Sequence, residues 1–333
     1  MRILSNVTKH TTKLIGRHGA MIQWRAGANK EEFRASCEKA ECIFMLEKDG
    51  EPATIYMDPV SGETINEKEI QLIPGTISEE PEYLHEDGRI LMKVDKCFAL
   101  FGTPMLGAFE WDIKFPDRLG IEGLRKAISE APRYADRARG ALVGNASTMM
   151  SEEDMKEVDG EIRGAGMHHI LYDHAWRQNP WILEFATASC NHLQDVRDAI
   201  RLGARQCSLV MPQSLIDRYQ GTMIDGFFMN QCPENVSPAI NCINCGGRSG
   251  PLCDARTRSG MVVMFEQHGA TSWKKSRSTK IRNIAGKAGV SVDAFQKMIR
   301  EGDRPAILSI GLKAMSRVTK ATAKKYRAFL EMS

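Results

Sequence analysis

Several features that would assign this 333-residue chain to a class at once are missing from it. No apolar run approaches the ~20 residues of a membrane span, since Gly and Pro interrupt even Cys97–Phe109. The opening Met-Arg-Ile-Leu-Ser-Asn-Val lacks the apolar core of a secretory leader, so a cytoplasmic protein with no membrane partner is expected. No phosphate-binding P-loop and no dinucleotide fingerprint is present, which removes the two commonest glycine-rich nucleotide cradles. No internal repeat and no low-complexity segment interrupts the chain.

What is present is ordinary in bulk and uneven in detail. Hydrophobic content of 42% and charged content of 26% suit a globular protein with two or three domains. From Lys274 to Ser333, fifteen Lys or Arg stand against four Asp or Glu, which leaves residues 1–273 at −8 within a total of +3. A basic tail on an acidic body is the charge pattern of a nucleic-acid-binding appendage.

Residues 1–95 read as a small α+β module. The spacing predicts a helix over 31–40, strands over 42–46 and 53–57 around Asp49-Gly50, and a strand over 88–94. The acidic, proline-bearing 73–88 reads as a surface loop. Residues 96–273 alternate strand and helix. Strands are expected at 181–188, 207–211 and 261–265, with helices at 192–202, closed by Gly203, and from Pro212 to Tyr219. That alternation implies an α/β domain with a partial parallel sheet or (β/α) barrel-like centre, whose functional residues lie in loops after the strands. Residues 274–333 read as an all-α domain.

The densest chemistry lies in 232–253, where Cys232, Cys242, Cys245 and Cys253 are spaced C-x9-C-x2-C-x7-C among Gly, Pro and Asn. A Cys-x2-Cys step lets two thiolates converge on one metal, and turn-rich filler lets the chain wrap around it. In a reducing compartment, clustered cysteines are metal ligands more often than disulfides. Zinc suits four thiolates in a closed site. An iron–sulfur cluster takes the same set, and Cys232-Pro233 resembles the Cys-Pro of some cluster ligands. A Zn(2+) ribbon usually shows two such knuckles, whereas this chain has one, which favours iron–sulfur.

The stretch Ile281–Arg300 resembles a bacterial helix-turn-helix. Gly289 supplies the left-handed turn, Val290 plugs the core, Ser291 caps the second helix, and Phe295, Met298 and Ile299 share its buried face. The opposite face offers Asp293, Gln296, Lys297 and Arg300, with Lys287 on the preceding helix, to a DNA groove. DNA is therefore the expected partner, and a homodimer stays open.

Across about 138–270 the order of motifs resembles a family of bacteriophage and plasmid proteins without an established activity. The motifs are Arg139-Gly-Ala-Leu-Val-Gly-Asn-Ala-Ser147, Gly166-Met-His-His-Ile-Leu-Tyr-Asp-His-Ala-Trp-Arg177, Ala188-Ser-Cys-Asn191 and the cysteine cluster. The resemblance implies a mobile-element protein working in the host cytoplasm, with a regulatory role or one in DNA transactions. Some related phage proteins resemble degenerate radical-S-adenosylmethionine barrels. This chain lacks the Cys-x3-Cys-x2-Cys triad that such chemistry needs, since Cys37, Cys42 and Cys97 do not form one. An enzyme acting on nucleic acid or nucleotides is the alternative, with His169, Asp173, Cys190 and His268 as candidate catalytic groups. His169 and Asp173 would share a helical face, and Cys190 would meet His192 on an extended strand. A zinc-stapled interaction protein is the third reading.

Overall fold

The computed structural model describes residues 3–8, 21–27, 30–43, 47–48, 51–52, 54–73, 82–94, 116–132, 135–141, 144–236, 240, 242, 245–246 and 250–266, with Ser291 and Ala294. The strands are β1 (Ile3–Thr8), β2 (Met21–Ala26), β3 (Glu47–Lys48), β4 (Glu51–Pro52), β5 (Ile55–Met57), β6 (Thr64–Ile65), β7 (Ile70–Ile73), β8 (Glu82–His85) and β9 (Ile90–Val94). They continue as β10 (Arg137–Arg139), β11 (His168–Ile170), β12 (Tyr172–Asp173), β13 (Thr187–Cys190), β14 (Gln206–Met211), β15 (Met223–Ile224), β16 (Phe227–Gln231) and β17 (Met261–Glu266).

The architecture is mixed α/β with parallel sheets, as the alternating pattern predicts. One sheet runs β1-β2-β10-β11, and a second runs β12-β13-β14-β17-β16-β15. Only Leu171 separates β11 from β12. All pairings from β2 through β10 to β11, and from β12 through β17 to β16, are parallel. Strand β17 lies between β14 and β16, so the chain crosses back over the sheet at its end. A separate antiparallel sheet runs β6-β5-β9-β8-β7.

Some of these pairings run across the domain boundary expected at 95. Strand β1 pairs with β2 and β2 with β10, so Ile3–Thr8 and Met21–Ala26 share a sheet with Arg137–Arg139. Local sequence carries no mark of a partner more than a hundred residues away. The strands expected at 42–46 and 53–57 do not pair with each other: β3 pairs with β4 on either side of Asp49-Gly50, which lies outside the described residues, and β5 pairs with β6 and β9. Strand β8 falls inside the stretch read as a loop, because pairing with β7 and β9 overrides its acidic composition. At 181–188 the chain first makes a 3-10 turn, Pro180–Glu184, and only then enters β13. Pro180 favours a helical start, and the apolar run alone could not reveal that.

Helix signals are more local. Ser151 caps the Glu152–Gly164 helix by accepting from the Asp154 amide, with three acids in the first turn and Arg163 in the last. Met155, Val158 and Ile162 form its buried stripe. The Leu193–Arg201 helix is capped by the His192 imidazole, which accepts from the Asp195 amide, and Gly203 follows it at φ +92°.

The main core lies between these helices and one face of the central sheet, where Trp24, Ala138, Leu171, Ala188, Cys207, Leu209, Val262 and Met264 pack. The antiparallel module docks at the other end of β13 and β14. The Leu193 amide donates to the Pro59 carbonyl at 2.9 Å. Gly62 sits so close that a Cβ there would come 2.4 Å from the His192 ring. Val210 packs against Met57, Met92 and Val94 of the module.

Candidate functional site

Alternation along the strands gives the sheet two unlike faces. Residues of one parity enter the helix-covered core. On the other face Arg137, Thr187, Gln206 and Ser208 are buried and polar, while Val263, Met261 and Phe265 of β17 pack against Cys232, Cys245 and Leu252. Buried polar groups need partners, and the cysteine segment supplies them from its backbone. The Arg137 guanidinium, 1% exposed, donates to the Cys242 carbonyl at 2.5 Å and the Cys245 carbonyl at 2.9 Å. The Gln206 amide donates to the Leu252 carbonyl. The Thr187 hydroxyl donates to Gln206 Oε1 at 2.6 Å and lies 3.2 Å from the Cys253 carbonyl.

The end of the segment is latched by charge. Asp254, fully buried, accepts from Arg163 at 2.8 and 3.3 Å and from the Thr257 hydroxyl at 2.6 Å, with His168 Nδ1 at 3.1 Å. Burial pushes the Asp254 carboxyl up, but the bonds from Arg163 and Thr257 outweigh it and hold the group at about 2. Two glycines make the close approach possible. A Cβ on Gly250 would lie 2.3 Å from the His168 ring, and one on Gly246 would lie 1.8 Å from the Gly250 carbonyl oxygen.

Held in this way, Cys232, Cys242, Cys245 and Cys253 all line one cavity of about 20 Å³ with Arg139, Tyr172, Glu234 and Phe265. Cys232 directly follows β16, and Arg139 and Ile170 are the last residues of their strands. Cys242 Sγ lies 3.7 Å from Glu234 Oε2. Burial pushes the Cys245 thiol up, opposed by the Leu252 amide and by the charges of Arg137 and Arg258. Burial also raises the Tyr172 phenol well above its usual range, and Cys253 adds to the rise. Among the described residues, no three His, Cys, Asp or Glu side chains converge as closely as ligands of one bound ion do. The thiols share a cavity rather than a point. Its volume is that of about one water molecule, against the roughly 300–1,000 Å³ of pockets for organic ligands.

The candidate catalytic groups fall elsewhere and apart. His169 is in a strand, not a helix, and is fully buried. Its Nε2 accepts from Trp24 Nε1 at 3.1 Å and its Nδ1 faces Asp159 at 2.8 Å, so both ring nitrogens are engaged. Asp173, also fully buried, accepts from the Ser147 amide and hydroxyl and from the Ala175 amide at 2.8–2.9 Å. Burial raises its pKa to about 6 even so. Cys190 is in the apolar core, its thiol pushed far up by burial and then by Cys207, while His192 is spent as a helix cap. The Cys190–His192 pair expected from an extended strand does not form, because the chain leaves β13 at Cys190. His268, Lys287, Asp293, Gln296, Lys297 and Arg300 lie outside the described residues. Ser291 is exposed, and its hydroxyl accepts from the Ala294 amide at 3.1 Å, the bond of a helix cap.

Sequence reasoning missed Arg137 and Gln206, whose signal was a polar residue at a buried-strand position. It also missed how its own motifs meet. Asn145 Oδ1 accepts from the His174 amide at 2.7 Å, Ser147 binds Asp173, His174 Nε2 lies 2.9 Å from Ser189 Oγ, and Trp176 Nε1 donates to the Ser189 carbonyl at 3.0 Å. Burial pushes the His174 pKa down to about 4, so its imidazole is neutral at pH 7. No helix among the described residues is long and apolar enough to cross a membrane. In comparisons with family models, curated proteins and solved structures, nothing matches this chain.

Proposed function

We propose that this chain is a metal-binding α/β protein acting on DNA, in keeping with the resemblance of its motifs to bacteriophage and plasmid proteins. Cys232, Cys242, Cys245 and Cys253 hold an iron–sulfur cluster or Zn(2+) against the polar face of a barrel-like sheet. The basic 274–333 segment, read as a helix-turn-helix, grips DNA through Lys287, Gln296, Lys297 and Arg300, and the metal centre holds or senses on its behalf. The observation that carries this reading is that four thiols, scattered over 22 residues of sequence, line one cavity. Thiolates so placed bind soft or borderline metals, and the Arg137 bonds preset the knuckle before the metal arrives.

The test is metal content and visible absorption of full-length protein purified without oxygen, beside Cys245→Ser. Iron with sulfide, or one zinc per chain, lost in the variant, is the expected result. Metal-free wild type refutes the reading. DNA association that weakens steeply with salt is expected as well. Salt-independent behaviour with zinc present would leave a zinc-stapled interaction protein.

A second reading, an enzyme acting on nucleic acid or nucleotides, draws on the Asn145–His174–Ser189 network beside Asp173. Its neutral imidazole, within hydrogen-bond distance of a hydroxyl, has the form of a base and its nucleophile. His174→Ala, not His169→Ala, is the variant that tests it, by turnover of a nucleic-acid substrate.

A further inference from the structure

Arg139 lines the thiol-lined cavity, and Arg137 and Arg258 reach the Cys242–Gly246 backbone beside it. Arg137 is spent on the carbonyls of Cys242 and Cys245. Arg139 lines the cavity with its guanidinium 6.0 Å from the centre of the Tyr172 ring, and no carboxylate pairs with it among the described residues. Arg258 carries a buried Nη2 with no hydrogen-bond partner among the described residues. That nitrogen lies 3.4 Å from where a Cβ on Gly246, the residue after Cys245, would stand.

An unsatisfied buried donor is costly, so such a group calls for an acceptor. A dication held by four thiolates supplies one. It keeps two negative charges in excess, and burying them is costly unless cations and N–H donors stand close. Thiolate sulfur accepts from guanidinium N–H groups, and outer residues of this kind tune how tightly a metal is held.

We infer that Arg139, in the cavity wall, and Arg258, beside Gly246, are the counter-charges of the four-cysteine centre, while Arg137 shapes the knuckle through the backbone. This rests on the reading that the four cysteines hold a metal. Among the described residues, neither Arg139 nor Arg258 bonds the carbonyls of Cys242 or Cys245, so their part is charge and hydrogen bonding to sulfur, and the backbone role falls to Arg137.

The experiment uses full-length metal-loaded protein and follows metal loss to excess chelator, EDTA for zinc or bathophenanthroline for iron. Arg139→Gln and Arg258→Met are expected to lose metal about 10–100-fold faster than wild type, the range seen for outer-shell changes. Arg139→Lys, which keeps the charge, is expected to recover most of the difference, and circular dichroism of each variant is expected to match wild type. Wild-type loss rates in Arg139→Gln and Arg258→Met would overturn the inference while leaving the metal reading intact. If Arg258→Met does not fold, Arg139→Gln against Arg139→Lys decides, since among the described residues Arg139 makes no hydrogen bond whose loss would disturb the fold. A wild type that binds no metal sinks the parent reading instead.

Discussion

The two faces of the central sheet are built on opposite principles. The helix-covered face is apolar, and its residues Leu209, Val262 and Met264 pack into a core with Val158, Ile162 and Val196. The other face buries Arg137, Thr187 and Gln206, beside apolar Val263 on β17, under a loop rich in Gly and Pro. Parallel sheets are usually apolar on both sides, because helices cover both. A helix has satisfied its own backbone and asks only for apolar contact. A loop brings unpaired carbonyls, and those of Cys242, Cys245, Leu252 and Cys253 are met by sheet side chains. The polar face is thus the complement of a loop, and its presence within a buried sheet marks where an irregular segment, here the thiol-bearing one, is held.

Leu209→Ala gives the sharpest contrast. It should cost about 2–5 kcal/mol in urea unfolding by emptying core volume. Chelator should leave that loss unchanged, since Leu209 faces away from the thiols. A loss that changes with chelator would mean the faces are not independent.

Gln206→Leu, on the same strand but the opposite face, should cost less, about 1–3 kcal/mol, through the orphaned Leu252 carbonyl. Its effect should be local. Amide exchange should quicken over 250–258 while the Leu193–Arg201 helix keeps wild-type protection. Uniform quickening would refute a face-specific role.

The smallest effect near neutral pH is acid release of the latch. The folded pKa of Asp254 lies at about 2, below the usual 3.8, so its stabilising contribution is present above the ordinary value and disappears as pH falls from about 4 toward 2. Exchange over 250–258 should therefore rise in that window before the helix-covered core opens. Asp254→Asn should show the faster exchange already at pH 7. Simultaneous opening of both faces would erase the distinction.

Much of this was legible beforehand wherever the physics is local. Ser151, His192 and Gly203 mark helix ends within one turn of the residues they cap, and the apolar runs of β14 and β17 read directly as buried strands. The cysteine spacing pointed to a shared site, and the four residues do share a cavity. The histidines misled, because a helical face was assumed where Gly166 turns the chain into a strand. With two-residue alternation, His168 goes to the loop side and His169 to the core, so neighbours in sequence have no common partner.

The sequence by itself determined the capped helices and the buried strands β14 and β17, the basic tail, the wide spacing of the four cysteines and their gathering in one turn-rich segment. Only the tertiary structure decided that β2 joins β10, that Arg137 clasps the Cys-x2-Cys carbonyls, and that Asp173 and His174 bind the motif that ends at Ser147. The division has a physical cause. Caps, turns and periodicity act over about four residues, and composition acts on their sum. Pairing of a buried polar group depends on which distant segment covers it, and that is fixed when the whole chain closes around its core.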